Sequence, residues 1–115
     1  SVLKERCGDF FEDDTPSPYM LHVYKTREDK LDVLPAITHV DDGARVQTVD
    51  KDVSPLYWSL IDSFGRKTGV PVVLNTSFNI RGEPIVNSVA DALKCFFTTD
   101  MDALAVGPFL ITKNG

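Results

Sequence analysis

The stretch SPLYWSLIDSFGRKTGVPVVL, Ser54 to Leu74, constrains the fold more than any other part of the chain. Ser54 can cap a helix, Pro55 suits the first turn because its missing N–H would be unpaired there, and Gly69 suits the residue just past the end. Leu56, Tyr57, Leu60, Ile61 and Phe64 recur at helical spacing and predict one apolar face packed on a sheet, with Trp58 off that stripe and free to cover a neighbour or an interface. Val70 to Leu74 follows at once as an unbroken apolar run, which predicts a central strand buried on both faces. A helix delivered straight into such a strand requires helix and sheet layers around one core.

Behind that strand the chemistry changes abruptly to NTSFNIRGEP. The carboxyl end of a central strand is where open α/β sheets receive ligands. Asn75 and Asn79 offer amide donors and acceptors, Thr76 and Ser77 hydroxyls, and Arg81 a planar fork of donors suited to carboxylate or phosphate. On the residues alone, a turn that satisfies its own backbone explains the same composition, which is what such residues ordinarily do.

Elsewhere the signals are uneven. Ser1 to Glu12 reads weakly as the end of a helix. Residues 12–33 form a loop-rich, linker-like stretch: EDDTPSPY opposes helix and central strand, MLHVYK alternates as a strand, and TREDKLD is a charged turn or loop where disorder is expected. LPAITHV and RVQTV predict paired strands, Ala36–Val40 and Arg45–Val49, joined through an Asp-Gly turn. Ser88 followed by Asp91 predicts a capped helix over Ser88–Thr98, with Val89, Ala92, Leu93, Phe96 and Phe97 on one face. Ala103 to Ile111 predicts a closing strand bulged or edged at Gly107-Pro108. The sum is an α/β (α+β) domain over residues 1–115, a mixed sheet flanked by helices.

Composition excludes several classes. A net charge of −5 argues against a general nucleic-acid binder, which needs a basic surface, so an anion site here has to be local. No apolar run approaches the ~20 residues that span a bilayer, and no leader pattern is present, so the expectation is a cytoplasmic protein. The two cysteines, Cys7 and Cys95, lack metal or redox spacing and read as reduced, packed thiols. His22 and His39 do not recur at metal-ligand spacing and read as packed or surface histidines. There is no glycine-rich phosphate loop and no Ser/His/Asp arrangement. Arg45, beside Asp41 and Asp42, reads on its own as a surface ion pair. Were it to converge with the Asn75–Arg81 loop, the two would form a cationic pocket for a small phosphorylated or carboxylated ligand.

LNTSFNIRGEPIV, HVDDGARVQTV, PLYWSLIDSFGRKTGVPVVLNTSF and DALKCFFTTDMDALAVGPFLI together resemble the C-terminal region of the bacterial O-carbamoyltransferases, the family of the nodulation-factor, cephamycin and tobramycin carbamoylating enzymes. The likeness is dense from Leu34 to Lys113 and thinner before it. The resemblance implies a twisted, YrdC-like mixed sheet around a concave cationic cavity. There carbamoyl phosphate and ATP, with Mg2+, would form carbamoyl adenylate and release phosphate and pyrophosphate. An N-terminal actin-like ATPase-type domain bearing a histidine-rich metal site would pass the carbamoyl group to an acceptor hydroxyl.

By the same resemblance Arg45 matches the catalytic arginine that holds the carbamoyl phosphate or carbamoyl-adenylate group, Asn75 and Ser77 match polar residues of the cavity, and Asn79 matches one near the nucleotide. Arg81 would bind or brace the loop. No metal ligands fall in this chain. The family's lysine and further arginines come from segments ahead of SVLKERC, so the resemblance implies part of a longer polypeptide that is inactive alone. Two readings from other classes stay open: a non-catalytic nucleotide or phosphometabolite-binding module, and a structural docking domain.

Overall fold

A computed structural model describes residues 1–113 of the chain, which divide into two compact units, Ser1–Asn75 and Thr76 onward. The architecture is α+β, with small sheets and helices. At the centre of the first unit lies β1 (Val2–Leu3), paired in parallel with β4 (Thr48–Val49) in the register Val2 to Thr48 and Leu3 to Val49. On the other edge of β1 the backbone of Ser1 exchanges hydrogen bonds with Val73, at 2.6 and 3.0 Å, and Val2 bridges Val72 antiparallel. The predicted strand Val70–Leu74 is therefore extended and central but only a single bridge long; Val72 is buried and Leu74 exposed.

Two apolar clusters hold this unit together. Val2, Cys7, Phe10, Phe11, Tyr24, Leu34, Ala44, Val46 and Val72 form one, and Leu3, Val49 and Ile61 form the other. The helix α2 (Pro55–Thr68) has the predicted bounds, with Pro55 in its first turn and Gly69 in the left-handed conformation at φ +80°. Its buried face differs from expectation. Ile61 is fully buried with Tyr57 and Trp58 packed against the same cluster, whereas Leu56, Leu60 and Phe64 are exposed. The indole N–H of Trp58 donates to Glu5 at 2.9 Å, so the residue predicted to lie off the stripe is part of the core face.

The predicted hairpin of Ala36–Val40 with Arg45–Val49 does not form. Instead β3 (Gly43–Arg45) pairs antiparallel with β2 (Val23–Lys25), Tyr24 opposite Ala44. Residues 34–38 curl because Ile37 N–H bonds Leu34 O and the Thr38 hydroxyl donates to the same carbonyl at 2.8 Å. The Asp-Gly step does make a turn, closed by His39 N–H to Gly43 O at 2.8 Å, but the positive φ, +61°, falls on Asp42. An aspartate tolerates that conformation better than most residues.

The stretch 12–33 is loop-rich and anchored. Ser17 is 2 % exposed and bonded to Thr48 and Val46, Tyr24 donates its hydroxyl to Thr15 O at 2.6 Å, and Thr26 is buried. Where disorder was expected in TREDKLD, Glu28–Val33 winds as 3-10 turns, with Arg27 paired to Asp29 at 3.1 Å. The start of the chain is also tighter than a helix end: β1 is followed by a 3-10 turn and the short α1 (Cys7–Phe10).

In the second unit α3 (Val89–Phe97) begins as predicted. The Ser88 hydroxyl oxygen accepts from Asp91 N–H at 3.1 Å and donates to the Asp91 carboxylate at 2.7 Å. Ala92, Cys95 and Phe96 are buried, while Val89 and Phe97, predicted on the same face, are exposed. The closing segment is two strands rather than one with a bulge: β5 (Ala103–Val106) and β6 (Phe109–Thr112) pair antiparallel with Val106 opposite Phe109. Gly107, at φ +55°, supplies the first position of that two-residue turn, where positive φ is needed and a glycine is preferred.

Candidate active site

The register of β3 places Arg45 between buried Ala44 and Val46, so strand alternation turns its side chain outward while its neighbours enter the core. There it lines a cleft of about 180 Å³ with Thr38, His39, Met20, Leu74 and Asn75. Two of the predicted site residues, Arg45 and Asn75, thus share one concavity within the first unit. Among the described residues Arg45 forms no ion pair; the surface pairing with Asp41 or Asp42 does not occur, and Asp41 instead accepts from Gly43 N–H at 3.1 Å. Among the described residues no carboxylate lines the cleft, and the guanidinium has unused donors on a protein of net charge −5. At this volume the cleft is smaller than the ~300–1,000 Å³ of drug-sized ligand sites, and suits a small anion.

Asn75 is held by a chain of side chains that spacing alone did not suggest. Its Nδ2 donates to Gln47 Oε1 at 2.8 Å, and the same oxygen accepts from the Ser1 hydroxyl at 2.7 Å. The Ser1 hydroxyl in turn accepts from Tyr57 OH at 2.7 Å, and Gln47 Nε2 donates to Pro18 O at 3.3 Å. Gln47 carries the usable sequence signal: a polar residue between buried Val46 and Thr48, only two positions from Arg45.

Ser77, Asn79 and Arg81 belong to the second unit. Asn79 spends its amide donors on its own turn, to Ile80 O at 3.0 Å and Glu83 O at 3.2 Å, while Gly82 at φ +86° lets the turn close. Ser77 and Arg81 are exposed. His39 lies on the rim of the Arg45 cleft, and His22 is exposed and stacked on Tyr24 with ring centroids 6.4 Å apart. Cys7 and Cys95 are buried and free; burial, followed by the charges of Asp14 and Asp13, pushes the Cys7 thiol up to about 11. Among the described residues no His, Cys, Asp or Glu cluster could hold a metal ion, and no helix is long and apolar enough to cross a membrane.

The fold and the site define a class: a mixed α+β unit that sets an unpaired arginine and an oriented amide in one small cleft. Comparison with known proteins narrows the class. Residues 1–113 match the family described as Carbamoyltransferase C-terminus. The chain is 52 % identical over 117 residues to nodulation protein NolO of Bradyrhizobium diazoefficiens, covering 99 % of this chain and 21 % of that protein. It is 50 % identical to nodulation protein NolNO of Sinorhizobium fredii, covering 99 % and 17 %. To the 3'-hydroxymethylcephem-O-carbamoyltransferase of Amycolatopsis lactamdurans it is 37 % identical over 103 residues, covering 90 % and 19 %. The chain belongs to the carbamoyltransferase C-terminal family, and it spans about a fifth of the length of these relatives.

Proposed function

We propose that this chain is the C-terminal region of an O-carbamoyltransferase and contributes the wall of the site where carbamoyl phosphate and ATP become carbamoyl adenylate. The observation that carries the reading is the cleft shared by unpaired Arg45 and hydrogen-bonded Asn75. Joining a carbamoyl oxygen to the α-phosphorus of ATP breaks the α–β phosphoanhydride and releases pyrophosphate. Freeing phosphate from carbamoyl phosphate as well consumes one water, so the sum balances as carbamoyl phosphate, ATP and water giving carbamoyl adenylate, phosphate and pyrophosphate.

Such a reaction needs positioning and charge neutralisation rather than a protein nucleophile. Arg45 would neutralise charge on the transferring group, and Asn75 would orient it. Ser77, Asn79 and Arg81 are proposed to meet the nucleotide or brace its loop, and Mg2+ would arrive with the ATP phosphates. The adenylate would then serve an acceptor hydroxyl on an N-terminal domain of the same polypeptide, leaving this region inactive alone.

The test is carbamoyl phosphate-dependent release of pyrophosphate from ATP by the full-length protein. Arg45→Ala should lower that rate on the order of a hundredfold or more, the scale for removing one oxyanion-stabilising donor. An unchanged rate would reduce Arg45 to a surface residue and favour a docking domain. Tight nucleotide binding without turnover would favour a regulatory module.

A further inference from the structure

We infer that Gln47 fixes the side-chain amide of Asn75 as a hydrogen-bond acceptor toward the cleft, and that this selects a carbamoyl group over an acyl group lacking the NH2. The inference rests on the proposed function and adds to it the residue that sets specificity.

The argument is one of donors and acceptors. Pro18 O can only accept, so it draws the NH2 end of the Gln47 amide to itself and turns Gln47 Oε1 the other way. That oxygen has two lone pairs, and both are occupied, by the Ser1 hydroxyl at 2.7 Å and by Asn75 Nδ2 at 2.8 Å. The Ser1 hydroxyl is itself committed, because it accepts from Tyr57 OH and so keeps its proton for Gln47. Asn75 therefore has to present nitrogen to Gln47, with the same nitrogen 3.6 Å from Met20 Sδ, and its Oδ1 is left without a donor among the described residues.

Asn75 and Arg45 line one cleft. An asparagine whose nitrogen is tied back offers the ligand an acceptor, whereas Arg45 offers only donors. Carbamoyl phosphate has complementary parts: phosphate oxygens for the guanidinium and an NH2 for Asn75 Oδ1. Acetyl phosphate has the same anionic part and a methyl where the NH2 would be. A site built to hydrogen-bond a substrate NH discriminates against an analogue without it, strongly when buried and less in an open cleft such as this one.

The test measures binding of carbamoyl phosphate and of acetyl phosphate to the full-length protein by calorimetry. Wild type is expected to prefer carbamoyl phosphate by about tenfold or more, a modest share of the discrimination seen in closed sites. Gln47→Met keeps the length of the side chain but removes the acceptor, so Asn75 can flip and the preference should collapse toward unity. Gln47→Glu keeps acceptor oxygens for Asn75 and should retain the preference, even where its charge weakens both ligands. Thermal melts of the two variants establish that each is folded. Equal binding of the two ligands by wild type, or a preference undiminished in folded Gln47→Met, overturns the specificity role while leaving the Arg45 site intact. Binding of neither ligand by wild type overturns the proposed function itself, and the specificity role with it.

Discussion

Gly65 of α2 packs so closely against Pro71 that a Cβ built on it would stand 2.5 Å from the proline Cβ and 2.9 Å from its Cα. Part of that obstruction is backbone, which cannot swing aside as a long side chain would. The contact joins the helix to the extended segment that leads to Asn75, so the glycine matters for the site as well as for the core.

Gly65→Ala is accordingly expected to destabilise the protein. In an isolated helix the change would be favourable by about 1 kcal/mol. Overpacking a tight contact costs about 1–3 kcal/mol, and here it outweighs the helix gain. Urea denaturation should show a lower midpoint, and carbamoyl phosphate binding should weaken because Pro71 must move. A midpoint at or above that of wild type would mean that the helix slides freely on the 70–75 segment.

Arg45 should behave in the opposite way. Its side chain is exposed and, among the described residues, unpaired. Surface substitutions of this kind usually change stability by less than about 0.5 kcal/mol. Arg45→Ala should therefore melt like wild type while losing carbamoyl phosphate binding, and Arg45→Lys should recover only part of it because a point charge lacks the planar fork. Loss of stability in parallel with binding would show a structural role instead.

What could be read from the residues follows the range of the forces involved. The bounds of α2 and α3 are local matters, decided by Pro55, Gly69 and the Ser88–Asp91 cap, and both helices stand where spacing predicts them. The pairing of β1 with β4 and of β2 with β3 joins residues far apart in sequence, and nothing in Ala36–Val40 announces that Thr38 will curl it onto Leu34. Helical period located an apolar stripe on α2 but could not choose between neighbouring faces; Trp58 rather than Leu60 turned inward, where its N–H meets Glu5. Arg45 and Asn75 were legible singly as polar groups at strand ends. Their convergence depends on the register of β3 and on the Ser1–Val73 pairing, so it became visible only in three dimensions, together with Gln47.

Burial makes Cys7 a pH-sensitive element of the first unit. Its thiol is held neutral up to about 11 in the folded state, above the ordinary range of an exposed thiol. Between those two values the unfolded chain loses the proton and the folded one retains it. The unfolded state then binds fewer protons, so stability falls as pH rises through that window and is undiminished below it. Denaturation midpoints should drop from about pH 8 to about pH 10, and Cys7→Ala should flatten that part of the profile. The same burial predicts that a thiol reagent labels Cys7 at neutral pH only as fast as the protein opens. Rapid labelling of the native protein would contradict it.

Asn75→Asp separates charge from hydrogen bonding at the cleft. Among the described residues no carboxylate lines that concavity, so a carboxylate at position 75 would add an anion to it. It would compete with an incoming phosphate for Arg45 and would face Gln47 Oε1, an oxygen that cannot donate to it. Asn75→Ala removes the acceptor for the ligand but introduces no charge. Aspartate should therefore weaken carbamoyl phosphate binding more than alanine does, by about tenfold or more, a factor corresponding to about 1.4 kcal/mol. Raising the salt concentration should narrow the gap, because screening acts on the repulsive charge and not on the lost hydrogen bond. Alanine binding as weakly as aspartate at every salt concentration would place the phosphate away from position 75.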